Sequence, residues 1–99
     1  MEIIKTNFNG LLVIKPDVFS DKRGYFFESF NVSSYRNAGI DFSPVQDNES
    51  RSSKGVIRGL HYQLHPHDHA KLIRVIEGKL FDVALDIRKG SATFGKWYG

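Results

Sequence analysis

Cysteine is absent from this 99-residue chain, so neither a disulfide nor a thiolate metal site can hold it together. A reducing compartment is thereby permitted. Long apolar runs are missing too. The first ten residues, MEIIKTNFNG, contain no apolar core of a secretory leader, and no stretch approaches the roughly 20 residues that span a bilayer. There is no basic run of the kind that tracks a nucleic-acid backbone. The fourteen lysines and arginines are dispersed against eleven acidic residues, leaving a net charge of +3. Together these absences predict a soluble cytoplasmic protein whose partners include neither nucleic acid nor membrane.

What the chain does have is apolar and aromatic side chains. Forty per cent of its residues are hydrophobic, and eight of its thirteen aromatics are phenylalanine. That composition is globular, and the length suits one domain, residues 1–99, with a modest core.

The patterning is β throughout. Leu11 to Lys15 reads as a strand stopped by Pro16, and GYFFESF, residues 24–30, alternates apolar and polar faces. Asn31 is placed to cap a short helix over Val32–Ala38, with Gly39 just past its end. QDNESRSSKG, residues 46–55, is polar and loop-like, and a strand resumes from Val56 to Leu64. KLIRVIEGKLFDVALDIR then reads as a hairpin turning at Glu77-Gly78. Lys89-Gly90-Ser91 is a further turn before Thr93–Tyr98. One helix among some six strands predicts an all-β fold, part of a barrel or jelly roll. Six strands do not close an eight-stranded jelly roll, and KWYG falls in a strand-like pattern. The expectation is an incomplete barrel, with an edge covered by a second subunit or with the chain a shortened form of something longer.

Chemistry concentrates in GVIRGLHYQ, residues 55–63, and in KLIRV, residues 71–75. His61 sits inside an apolar strand pattern, and an imidazole titrating near pH 6.5 suits a base at neutral pH. Lys71 is suited to stabilise an oxyanion, and Arg58 to grip a phosphate. The combination points to proton abstraction beside a carbonyl on a phosphorylated substrate. His61 and Arg58 have opposite parity along a regular strand, and Gly59 between them is where a bulge could restore one face.

DKRGYFFESF, QDNESRSSKGVIRGLHYQ and AKLIRVIEGKLFDVALDIRKGSATFGKW, in this order and spacing, resemble the dTDP-4-dehydrorhamnose 3,5-epimerases, cupin-fold isomerases of nucleotide-sugar synthesis. The resemblance runs from about Phe19 to Trp97 and covers the N-terminal part of a longer family pattern. It implies His61 as the base beside the C4 ketone and Lys71 as the cation holding the enolate. It implies substrate contacts from Arg58, from Gln46 and Asn48 of the QDN motif, and from Arg23 and Glu28 toward a neighbouring subunit's nucleotide. Asp82, which interrupts the Leu80–Ala84 face, is added as a partner for Lys71 or Arg58. The resemblance further implies a dTDP-4-keto-6-deoxy sugar as substrate, no cofactor, and a homodimer that exchanges N-terminal strands. The tyrosine that returns a proton and the aspartate that pairs with the histidine fall beyond residue 99 in the family pattern.

Two rival readings remain open. One is a non-catalytic sugar-nucleotide-binding fragment. The other is a metal-binding cupin using His65, His67 and His69 of HPHDH, although Pro66 and Asp68 favour a loop and no carboxylate follows at ligand spacing.

Overall fold

A computed structural model describes all 99 residues. Its elements are strands β1 (Glu2–Lys5), β2 (Leu12–Lys15), β3 (Phe19–Asp21) and β4 (Gly24–Phe26), helix α1 (Val32–Asn37), and strands β5 (Ala84–Leu85) and β6 (Trp97–Tyr98). They pair as three separate antiparallel ladders, β1 with β2, β3 with β4 and β5 with β6.

The β1–β2 ladder follows from its β-branched runs, EIIK and LVIK, in the register Ile3 to Ile14 and Ile4 to Val13. Its loop is fastened by Thr6, whose Oγ1 donates to the Leu11 carbonyl at 2.8 Å and accepts from the Phe8 amide at 3.1 Å. Gly10 takes φ +85°, a left-handed conformation that glycine adopts without strain. This loop turns Phe8 inward to 6% exposure, edge-on to Tyr98 of β6 with ring centroids 6.2 Å apart. β5 and β6 meet through Ala84–Tyr98 and Leu85–Trp97, and the Asp86 amide extends the pairing to the Lys96 carbonyl at 2.9 Å.

Helix α1 forms where expected. The Asn31 side chain accepts from the amides of Ser33 and Ser34, and Gly39 follows the helix at φ +80°. One face carries Tyr35, 4% exposed, edge-on to Phe30 at 4.8 Å; Phe30 in turn meets Phe42 at 5.8 Å. Phe8, Tyr35 and Asp86 are the only buried residues in the chain. The radius of gyration is 15.6 Å, against about 13 Å for a compact chain of this length. No helix is long and apolar enough to cross a membrane.

Three expected elements differ. The strand over residues 24–30 stops at Phe26. Val56–Leu64 carries no strand ladder. The hairpin across Glu77-Gly78 bends as expected, with Gly78 at φ +86°, yet its two arms do not pair; Ala84 and Leu85 pair with Trp97 and Tyr98 instead. Alternation marks a segment that can lie in a sheet, but a ladder also needs a neighbour for its amides and carbonyls. Every residue from Arg51 to Asp82 is exposed.

Candidate functional site

Arg23 lies in the tight β3–β4 turn, and its fork closes on Asp21. Nη2 donates to Oδ2 at 2.7 Å and Nε to the same oxygen at 3.2 Å, while the Arg23 amide donates to Oδ1 at 2.8 Å. The Arg23 guanidinium holds the Asp21 carboxyl below its usual range, and Asp21 raises Arg23 in return. Glu28 is likewise engaged locally. Its Oε2 accepts from Asn31 Nδ2 and its Oε1 from Ser34 Oγ, both at 3.0 Å, so it braces the start of α1. Phe27, just before it, stacks on Tyr25 with centroids 6.0 Å apart, and the Arg74 guanidinium lies 5.9 Å over the Phe27 ring. That contact draws the 71–75 segment toward the β3–β4 hairpin.

Gln46 Nε2 donates to Asn48 Oδ1 at 3.2 Å, so the QDN pair is internally bonded. Arg58 Nη2 donates to the Arg51 carbonyl at 2.8 Å, tying the start of the His61 segment back to the preceding loop. The His61 ring folds back over Gly59. A Cβ at residue 59 would lie 3.7 Å from His61 Nδ1, and Gly59 has φ +117°, which a side chain would strain. His61, Lys71 and Arg58 are all exposed.

Asp82 is exposed and joins neither Lys71 nor Arg58; the expected ion pair is not formed. Strand alternation put Asp82 on a face, but without a paired neighbour that face has nothing opposite it. The HPHDH segment is a turn, in which His65 Nδ1 lies 3.3 Å from Asp68 Oδ1 and His69 Nδ1 3.1 Å from the His67 carbonyl. No three histidine, aspartate or glutamate side chains converge as metal ligands, so the metal-cupin reading lacks its donor set.

Sequence reasoning missed the best-organised polar cluster. Asp86, with its side chain 2% exposed, accepts five hydrogen bonds. Arg88 supplies three, from its amide, Nε and Nη2, and the hydroxyls of Ser91 and Thr93 each donate at 2.6 Å. These donors, Arg88 first, hold the Asp86 carboxyl far below its usual range. Arg88 Nη1 also donates to the Asn9 carbonyl at 2.8 Å, joining this cluster to the β1–β2 loop. The signal was present as an aspartate followed at two, five and seven residues by Arg, Ser and Thr, a spacing that turns can fold onto one carboxylate. Two clefts flank the cluster, about 460 Å³ and 260 Å³, and neither includes His61 or Lys71.

Comparison with known proteins places these observations. The sequence profile of the dTDP-4-dehydrorhamnose 3,5-epimerases matches residues 5–99. A protein of that name from Shigella flexneri is 54% identical over 100 residues, covering all of this chain and 55% of its own length. One from Methanothermobacter thermautotrophicus is 50% identical over 96 residues, covering 97% of this chain and 51% of its own. A crystal structure of the Bacillus anthracis enzyme of that name, with TDP and pyrophosphate bound, superposes with a TM-score of 0.93 at 43% identity, over 99% of this chain and 57% of that one. The cupin-like all-β architecture expected from the sequence agrees with that superposition. The chain spans about half the length of the curated relatives it matches.

Proposed function

Since the chain belongs to the dTDP-4-dehydrorhamnose 3,5-epimerase family, we propose that it contributes the proton-abstracting side of an epimerase acting beside the C4 ketone of a dTDP-4-keto-6-deoxy sugar. The observation carrying this reading is the profile match over residues 5–99, which spans every residue assigned a role here. A carbon next to a ketone is acidic enough for an imidazole to deprotonate once the enolate oxygen is stabilised. His61 is the base and Lys71 the cation at that oxygen. A fixed donor of this kind lowers the barrier by about 3 kcal/mol in a site that excludes water. Lys71 is exposed in the chain by itself, so its full effect waits on the site being covered.

Arg58 suits the diphosphate through its planar fork, releasing the Arg51 carbonyl to do so. Gln46 and Asn48 can exchange their mutual hydrogen bond for sugar hydroxyls. Arg23 and Glu28 act at the nucleotide of a second subunit. The β3–β4 hairpin that carries Arg23 is exposed along its whole length, and this supports its use in a homodimer, which sedimentation velocity would detect. The chemistry is acid–base and calls for no cofactor. A doubly charged diphosphate does not cross a bilayer unaided, so the reading carries a cytoplasmic location with it.

Removing a proton needs only the base and the oxyanion donor. Inverting the carbon also needs an acid on the opposite face, which the family pattern places beyond residue 99. Solvent deuterium uptake into the substrate tests proton removal separately from inversion. His61→Asn abolishes that uptake while nucleotide-sugar binding persists, and Arg58→Ala weakens binding. Deuterium uptake by His61→Asn at the parent's rate would remove His61 from the role of base.

A further inference from the structure

Of the asparagines at positions 7, 9, 31, 37 and 48, Asn9 alone is followed by glycine. A glycine leaves the next main-chain nitrogen unshielded by any Cβ. Asn9 and Gly10 are the central residues of the β1–β2 turn, which the Leu11 amide closes on the Phe8 carbonyl at 3.1 Å. Gly10 has φ +85° and no non-glycine residue has a positive φ, so the turn has the form of type II. Both central residues are exposed. The Asn9 carboxamide and the Gly10 amide each lack a hydrogen-bond partner in the chain, and a Cβ at residue 10 would meet nothing within 4 Å. An electrophilic carbon and a nucleophilic nitrogen are thus adjacent, unoccupied and free to turn toward one another.

Arg88 sets this pair apart from Asn-Gly in a loose peptide. Asp86 holds its Nε and Nη2, so Nη1 stays aimed at the Asn9 main-chain carbonyl, 2.8 Å away. That oxygen belongs to the peptide bond between Asn9 and Gly10. Arg88 and Lys89 line the 460 Å³ cleft together with Asn7 and Asn9, and no acidic residue lines it. Negative charge developing at the turn therefore meets one fixed donor and a second cation.

We propose that Asn9 is a site of self-modification, at which Asn9 and Gly10 cyclise with loss of ammonia and the ring reopens mainly to isoaspartate, Arg88 selecting that isomer. In the first step water takes the Gly10 amide proton and the nitrogen bonds to Asn9 Cγ. The Cγ–Nδ2 bond breaks, and ammonia leaves carrying that proton. Arg88 stabilises the charge that the deprotonated peptide shares with the Asn9 oxygen. In the second step water adds to the imide. Attack at Cγ breaks the new bond and gives aspartate. Attack at the main-chain carbonyl carbon breaks the original peptide bond and gives isoaspartate, whose main chain runs through Cβ and Cγ. Arg88 grips the oxygen of that carbonyl, so it polarises the carbon attacked and then pairs with the carboxylate formed there. Water is the only co-reactant. The product lowers the net charge of +3 by one and adds a carbon to the main chain of the turn that presents Phe8 to Tyr98. None of this depends on the chemistry assigned to His61.

The test incubates the 99-residue chain in warm, mildly alkaline buffer, with and without denaturing urea. Peptide mapping locates each gain of about 1 Da, and electron-transfer fragmentation separates isoaspartate from aspartate. Asn9 converts ahead of Asn7, Asn31, Asn37 and Asn48. Its ratio of isoaspartate to aspartate is about fivefold higher in the native chain than in urea, the preference that one hydrogen bond confers. Arg88→Gln returns the ratio to the urea value, with folding checked by exchange of the Gly95 amide, which bonds to the Asp86 carbonyl at 2.8 Å. Arg88→Lys keeps a charged donor and retains part of the excess, so it carries the comparison if the glutamine variant does not fold. Conversion at Asn9 no faster than at the other asparagines overturns the proposal. So do equal isomer ratios in buffer and in urea, or a folded Arg88→Gln chain that keeps the parent's ratio.

Discussion

Replacing Asn31 by alanine tests whether α1 is held by its cap or by its neighbours. A helix of six residues is far below the length at which helices persist alone in water, so α1 exists only through its ends and its packing. The Asn31 side-chain oxygen Oδ1 accepts from the Ser33 amide at 2.9 Å and the Ser34 amide at 3.2 Å, serving two donors that the first turn leaves unpaired. Its Nδ2 also fixes Glu28, whose other oxygen returns to Ser34. Losing a cap of this type costs about 1 kcal/mol, and 1 kcal/mol is about a fivefold change in an opening equilibrium. Packing of Tyr35 against Phe30 is untouched by the substitution, so the helix is weakened rather than erased.

The assay is native-state hydrogen exchange at Tyr35, Ala38 and Ile40, whose amides bond within or just after the helix. They should exchange about five times faster in Asn31→Ala, with the Asp86 and Gly95 amides of the β5–β6 region unaffected. Asn31→Asp keeps the acceptor and favours the helix N-terminus, but loses the donor to Glu28 and sets two carboxylates side by side. It should restore most of the protection of α1 while freeing Glu28. Unchanged exchange in Asn31→Ala would refute the cap as the determinant of α1. Uniform acceleration across the chain would refute the independence of the two regions.

Two further predictions concern the Asp86 cluster and its surroundings. The folded-state pKa of Asp86 is depressed by Arg88, Ser91 and Thr93, so its contribution is fully present above the unfolded carboxylate value of about 3.9 and is lost as pH falls toward the folded value. Urea midpoints read by Trp97 fluorescence should therefore fall between about pH 5 and pH 2 in the parent. Asp86→Asn should be the weaker protein at pH 7, with a flatter decline; an identical acid profile would contradict the argument. Phe8→Ala should cost about 3 kcal/mol by emptying the contact with Tyr98, and in a chain with so little buried surface it should abolish the cooperative transition seen by circular dichroism.

Local signals were legible wherever one segment supplied its own partners. Asn31 and Gly39 marked both ends of α1, and LVIK before Pro16 marked β2, because a cap, a turn or a proline acts within a few residues. The 56–64 and 71–83 segments carried equally clear alternation, yet they form no ladder. Alternation states only which side chains could share a face, and pairing depends on strands that are often far away in sequence. The Asp86 cluster was missed for the opposite reason. Its ligands are close in sequence, but Asp86 sits where alternation assigns a face, and a period-two reading has no place for a carboxylate solvated by the turn that follows it.

That contrast also explains how the candidate site could be named from sequence while its geometry could not. The residue types in RGLH and AKL specify a chemistry by themselves: an imidazole near neutrality, a compact cation and a planar fork. Catalysis asks more, since an oxyanion donor is effective only where water is excluded and the base is held. The free chain fixes Arg23 to Asp21, Glu28 to α1 and Arg58 to the Arg51 carbonyl, so its binding groups are engaged with their own neighbours. Each of those bonds is exposed and worth little, and a diphosphate or a covering strand can exchange for it at small cost. The buried Asp86 cluster, by contrast, has no such freedom, and it anchors residues 84–98 to the β1–β2 loop. Within these 99 residues the polar groups thus fall into a buried cluster fixed by its own contacts and an exposed set whose local bonds are free to exchange partners.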